Sequence, residues 1–289
     1  MGHFNFWMSD VNNLVMLIDT HAHINFNAYK DDGDEVVKRA LAEDIWLINV
    51  GAEKDTSRRA IEYAQKYQEG VFAAVGLHPG HLAAQEYEEK IDGDETVKIK
   101  TEAQGFDYDY YKNLAQDAKV VAIGEIGLDY HYKNGAKVEL QRETLLEQMG
   151  LADTLKKPMM LHCRDAHEDL LKILETWTFV GNKPLRGVVH SFSGRWSQAE
   201  RYLKMGFYLG FNGLITFARD YDRVVREIPL AKLLLETDCP YLTPEPFRGK
   251  RNEPSYVKYV AQKVAQLRGI SVEEVAEKTT KNARELFRL

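Results

Sequence analysis

The 289-residue chain is long enough to bury a large core and lies in the range of a single barrel-type domain of roughly 250 residues. Its 38 Lys+Arg against 44 Asp+Glu give a formal charge of -6, which excludes a global basic field, so any phosphate-binding surface has to be local. Two cysteines, Cys163 and Cys239, are too few for a disulfide framework; both lie in apolar runs, as expected of a reduced, cytoplasmic protein.

In chain order, MGHFNFWMSDVNN has neither a basic n-region nor a long apolar stretch, so it is expected to be neither a signal peptide nor an anchor. Residues 1–13 read as an N-terminal extension and 14–289 as one domain. Short aliphatic runs then recur: LVMLIDTH (14–21), IWLINVGA (45–52), VFAAVGLHP (71–79), VVAIGEIG (120–127), PMMLHCR (158–164), RGVVHSFSG (186–194), FYLGFNGLIT (207–216) and LLLETDCPY (233–241). Apolar runs without a polar alternate face describe strands buried on both sides, as in parallel sheets covered by helices. Helical spacing lies between them, at Ile61, Ala64 and Tyr67, at Leu145, Met149, Ala152 and Leu155, and at Val257, Val260, Val264 and Leu267. Ser271 with Glu274 forms a capping box that opens a last helix through Val275, Ala283 and Leu286. This alternation predicts an α/β fold, a TIM (β/α)8 barrel. The acidic stretch between runs three and four, around residues 85–111, is expected to be a surface insertion around a short helix.

Polar residues cluster at one end of these runs. Asp19, His21 and His23 close run one, His78 run three, His162 and Arg164 run five, His190 run six, and Glu236 and Asp238 run eight, while Glu125 sits late in run four. In a barrel these are the carboxyl ends of the strands, where active sites are built. Period-2 alternation turns His21 and His23 to one side. Singly, each has a bland reading: a lone histidine such as His78 more often packs than ligates, and Glu125 or Asp238 could pair with Arg164. Together, His21, His23, Glu125, His162, His190 and Asp238 form a set of imidazoles and carboxylates large enough for two ions sharing a bridging carboxylate. Such ligands suit zinc or manganese and leave positions open for water. Glu125 is the natural bridge, its burial compensated by cationic charge. Asp238 reads as ligand and acceptor of the proton of a metal-activated water, making Asp238 and Glu125 the catalytic pair. Asp19 and Glu236, one period deeper, read as groups that orient the ligands.

With HAH at 21–23, GEIGLDY at 124–130, LHCR at 161–164, HSFSG at 190–194 and ETDCPYLTPEPFRGKRNEP at 236–254, the chain resembles the TatD family of metal-dependent hydrolases from about residue 16 onward. The resemblance implies an amidohydrolase-like TIM barrel, two divalent metals (Zn2+, Mn2+ or Mg2+) and hydrolysis of phosphodiester bonds in DNA, commonly stepwise from a 3′ end. It carries ligand roles to His21, His23, Glu125, His162, His190 and Asp238.

The loop TPEPFRGKRNEP gathers Arg248, Lys250, Arg251 and Asn252 beyond Asp238. Most such runs are solvated surface, but this one hangs over the expected metals, where an Arg fork can stabilise phosphoryl charge. Arg164, His131 and Arg219 are further cations at the rim, and Tyr130 and Phe217 could stack a base. The expected partner is therefore a single-stranded DNA end, without membrane or obligate protein partner. The competing readings are a D-aminoacyl-tRNA deacylase or other ester or amide hydrolase on the same site, and a non-catalytic metal-holding barrel.

Overall fold

The computed structural model describes residues 16–92, 95–132, 134–181 and 185–289, with 87–92 and 95–99 described by backbone alone. The expected extension at 1–13 lies outside the described residues. Chain order runs β1 (Leu17–Ala22), α1 (Gly33–Ala42), β2 (Ile45–Val50), α2 (Lys54–Gln65), β3 (Val71–Val75), β4 (Gln85–Asp92), β5 (Glu95–Thr101), α3 (Tyr108–Leu114) and β6 (Val120–Asp129). It continues with α4 (Val138–Leu155), β7 (Met159–Arg164), α5 (His167–Gly181), β8 (Gly187–Val189), α6 (Trp196–Lys204), β9 (Tyr208–Phe211), α7 (Asp222–Glu227), β10 (Leu233–Leu235), α8 (Val257–Arg268) and α9 (Val272–Phe287).

Eight strands pair in parallel in the order β1-β2-β3-β6-β7-β8-β9-β10. The seam between β10 and β1 closes just past the strands: His23 N–H donates to Cys239 O at 2.9 Å, and Asp238 N–H to His21 O at 2.9 Å. The result is a TIM-barrel-like α/β fold, as the alternation predicts.

The eight barrel strands are buried on both faces, which explains the unbroken apolar runs. Leu17, Leu47, Ala73, Val189 and Leu235 join the layer under the helices. Their neighbours Ile18, Ile48, Ala74, Val188 and Leu234 fill the barrel interior. Ala283, Leu286 and Phe287 of α9 pack onto that inner cluster. With Thr280 Oγ1 donating to Met16 O at 2.8 Å, α9 covers the end where the strands begin. The opposite end is left for the polar residues.

Local chemistry sets the helix ends. Glu53 and Thr56 form a reciprocal capping box on α2, the Ser271 hydroxyl accepts from Glu274 N at 3.0 Å at the start of α9, and α8 ends on the left-handed Gly269. The insertion departs from expectation. A short helix is present as α3, capped by Asp107, but the segment is built mainly on the antiparallel hairpin β4–β5, in which Glu86 lies opposite Lys100. The physical reason is the alternation of TVKIKT, a strand signal obscured by its acidic surroundings.

Candidate active site

Alternation along β1 places His21 and His23 side by side, their Nε2 atoms 3.2 Å apart. Asp19 holds their strand in place: its Oδ1 accepts from His21 N at 3.2 Å and Thr237 N at 2.9 Å, and its Oδ2 from the Thr237 hydroxyl at 2.6 Å. It thus orients the backbone that carries the ligands and ties β1 to the turn after β10. In that turn Asp238 occupies the left-handed region at φ 58°, rare for a non-glycine residue. The conformation brings Asp238 Oδ1 within 3.4 Å of His23 Nε2 and 3.8 Å of His21 Nε2.

Glu125 stands between two groups of imidazoles. Its Oε1 lies 2.7 Å from His190 Nε2, 2.8 Å from His162 Nδ1 and 3.6 Å from His78 Nε2. Its Oε2 lies 3.5 Å from His21 Nε2 and 3.8 Å from His23 Nε2. The register of β6 against β7 shifts between Ile123 and Ile126, where Glu125 is carried. Close approach of the two strands requires Gly127, since a Cβ there would lie 1.9 Å from His162 O.

The far side of each ring fixes which nitrogen faces the site. His23 Nδ1 donates to Val50 O at 2.9 Å, so its Nε2 lone pair is free to ligate. His162 Nε2 lies 3.0 Å from Asp129 Oδ2, which turns Nδ1 inward. Behind His190, Glu236 Oε1 lies 3.8 Å from Nδ1 and accepts from Ser191 N at 2.5 Å. Glu236 fits there because residue 210 is glycine; a Cβ would sit 2.2 Å from its Oε2.

Electrostatics report a demand for positive charge. Burial pushes the Glu125 carboxyl upward, but His190 and His78, with hydrogen bonds from His162 and His190, hold it well below the usual range. Burial opposes charge on His162 too, yet the bonds to Asp129 and Glu125 raise it to about 10. Burial lowers His21 to about 4 and His78 to about 3. Burial likewise raises Asp19 to about 7 and Glu236 to about 8. Glu125 is thus favoured as the anion and His162 as the cation, so the site stabilises positive charge beside Glu125.

The residues present fit divalent ions. His21, His23 and Asp238 offer ligand atoms within 4.8 Å of one another, as do His21, Glu125 and His190, and His78, Glu125 and His162. All are imidazole or carboxylate donors, suited to zinc or manganese. His21 Nδ1, His190 Nδ1 and Glu236 Oε2 are buried without a hydrogen-bond partner, so these rings are held by packing and by whatever their inward nitrogens meet.

The structure therefore brings the six expected ligands together. It does not gather the expected phosphate-binding cations as tightly. Arg164 donates to the Tyr132 hydroxyl at 3.1 Å and lies over its ring; His131 Nδ1 is 3.0 Å from Asp165 Oδ2. Arg248 stacks 3.7 Å over Phe217 and donates to Thr243 O at 3.2 Å, and Lys250 lies over Phe247. Arg251 is turned to Asp32 at 2.5 Å and Ala28 O at 2.6 Å, across Tyr29. Asn252 is buried, donating to Thr237 O and Tyr241 O. Tyr130 donates to Asp169 at 3.0 Å.

Sequence reasoning assigned no role to Asp129 or Gln141, and read His78 as packing. The signal for Asp129 was available, because alternation puts Glu125, Gly127 and Asp129 on one face of β6. Nothing local marks Gln141, which from α4 accepts from Asp129 N at 2.8 Å and donates to Asp129 O at 2.9 Å.

A TIM-barrel-like fold with histidines and acids converging at the carboxyl ends of its strands defines a metal-dependent hydrolase. The family described as TatD related DNase matches residues 18–288, and this chain belongs to it. YabD of Bacillus subtilis, an uncharacterised metal-dependent hydrolase, is 43% identical over 277 residues, covering 95% of this chain and 100% of its own. The 3′-5′ ssDNA/RNA exonuclease TatD of Erwinia tasmaniensis is 32% identical over 281 residues, covering 94% and 100%. The crystal structure of YjjV, a TatD homologue of Escherichia coli, superposes with a TM-score of 0.80 at 32% identity, covering 96% of this chain and 99% of that one.

Proposed function

We propose that this metal-dependent hydrolase removes nucleotides from the 3′ ends of single-stranded DNA, using two divalent cations (zinc, manganese or magnesium). The observation that carries this reading is Glu125, whose two oxygens face separate imidazole groups at 2.7–3.8 Å. One ion would be held by His21, His23, Asp238 and Glu125, the other by His162, His190 and the same Glu125. When bound, the cations supply Lewis acidity that polarises the phosphoryl group and acidifies an attacking water.

The chain's own residues do the rest. Asp238, aimed by its left-handed backbone and partly exposed, accepts the proton of the water as its oxygen forms the new P–O bond. The P–O bond to the neighbouring deoxyribose 3′ oxygen breaks, and that oxygen leaves as a 3′ hydroxyl by taking a proton from solvent water. Arg164 at the end of β7, His131 just past β6, and Arg248 and Lys250 of the loop beyond β10 bind the phosphates of a strand end, and Phe217 under Arg248 offers a stacking face. Arg251 serves the same loop by holding it to Asp32. A relative named as an exonuclease on single-stranded DNA and RNA supports this substrate class, and buried free thiols at Cys163 and Cys239 agree with a reducing, cytoplasmic setting. No helix among the described residues is long and apolar enough to cross a membrane.

The test is a panel of 5′-labelled single-stranded DNA, RNA and D-aminoacyl-tRNA with manganese, magnesium or zinc against chelator. Stepwise shortening of DNA from its 3′ end, abolished by chelator and by Glu125→Ala, is expected. Cleavage of the aminoacyl ester alone, or activity untouched in Glu125→Ala, would reject the reading.

A further inference from the structure

His78 sits where a metal ligand could sit. Its Nε2 is 3.6 Å from Glu125 Oε1, its ring meets that of His162 edge-on with centroids 4.3 Å apart, and its side chain keeps 17% of its surface exposed. With Glu125 and His162 it completes a group whose ligand atoms lie within 4.8 Å. Distance alone makes it a ligand.

The other nitrogen decides otherwise. Gly80 N–H donates to His78 Nδ1 at 3.0 Å, and residue 80 comes this close as glycine, since a Cβ would lie 2.9 Å from the same nitrogen. A backbone N–H is only ever a donor, so Nδ1 must present its lone pair and the ring proton resides on Nε2. The Nδ1–H tautomer and the doubly protonated ring would both set two hydrogens against each other. His23 shows the opposite arrangement: its Nδ1 faces the carbonyl of Val50, leaving Nε2 bare. The same rule turns the bare nitrogen of His23 inward and the hydrogen of His78 inward.

We propose that His78 is a catalytic hydrogen-bond donor, its Nε2–H directed at an oxygen of the reacting group beside Glu125, and not a metal ligand. This rests on the nuclease reading only for the identity of that oxygen, a non-bridging phosphoryl oxygen. A neutral donor held by its backbone turn gains strength as charge develops on the oxygen and needs no rearrangement to do so. It also fits beside two cations, where another positive charge would be repelled.

Three kinds of measurement test the proposal. Metal content and affinity of His78→Ala and His78→Gln, read by elemental analysis and calorimetry, are expected to match wild type within about twofold, whereas kcat on a single-stranded oligodeoxynucleotide falls about 100-fold in His78→Ala, the loss typical of one such donor, with KM nearly unchanged and partial recovery in His78→Gln. Nitrogen-15 spectra of the zinc-loaded protein with labelled histidine are expected to show His78 protonated at Nε2. Loss of one ion in His78→Ala, an Nε2 resonance shifted as a zinc ligand, or unchanged kcat would overturn it. The metal and tautomer readings need no substrate, so a wild-type protein inert toward oligonucleotides would reject the nuclease reading while they still decide the role of His78.

Discussion

At the scale of single residues, the site is sorted by what stands behind each imidazole. Asp129 accepts from His162 on one oxygen and from His131 N on the other, at 3.0 and 2.9 Å. Asp129→Asn can present an NH2 to His162 and so favour the wrong ring nitrogen. We expect metal affinity to weaken about 10–100-fold, the usual loss for such a supporting group, with the fold intact; calorimetric titration of the metal-free protein checks this. His167, buried between Tyr202 at 3.1 Å and Ser193 at 3.4 Å, gives a pH signature away from the ligands. Burial lowers it to about 4 from an ordinary 6.5. Its neutral form is favoured in the folded state, so its contribution is complete above about pH 6.5 and is lost as pH falls toward 4. The gap corresponds to about 3 kcal/mol. Urea unfolding of His167→Gln from pH 7 to 4 should show a shallower acid limb than wild type; identical slopes would contradict the assignment.

At the scale of elements, the strand ends are fastened by groups that substitute for sheet pairing. Gln148 of α4 accepts from Leu77 N at 2.8 Å and donates to Leu77 O at 3.0 Å, and Gln141, two turns earlier, does the same for Asp129. One helix therefore clamps both the segment just past β3, which carries His78, and β6, which carries Glu125 and Asp129. Gln141→Leu would leave the buried amide and carbonyl of Asp129 unpaired, and a loss of about 2–4 kcal/mol is expected from urea unfolding. The loop beyond β10 is fastened in the same way through Arg251 and Asp32. If Arg251 acts through the loop, Asp32→Ala should weaken oligonucleotide binding about as much as Arg251→Ala. Loss in Arg251→Ala alone would mean that its guanidinium meets phosphate directly.

At the scale of the whole molecule, the proposed activity requires a chain of charge -6 to hold a polyanion through a few cations at one mouth. Contact with about two or three phosphates of a single strand predicts a slope near -2 for the logarithm of affinity against that of salt. A slope steeper than about -5, measured by fluorescence anisotropy with metal-loaded protein, would indicate a long footprint instead.

What the sequence determined by itself was whatever repeats or is local: unbroken apolar runs fixed strands buried on both faces, and HAH fixed two imidazoles on one side of a strand. The set His21, His23, Glu125, His162, His190 and Asp238 was also legible, because strand ends in a closed parallel barrel share one rim whatever their spacing in the chain. Only the tertiary structure decided what each group meets. Arg251 reads as a free cation until it is seen against Asp32, and His78 as packing until Gly80 is seen to fill its Nδ1. Ring tautomers, pairings of loop charges and the hairpin at 85–101 depend on contacts between distant segments or on alternation hidden by charge, and a hydrogen bond of 3 Å has no counterpart in composition or spacing.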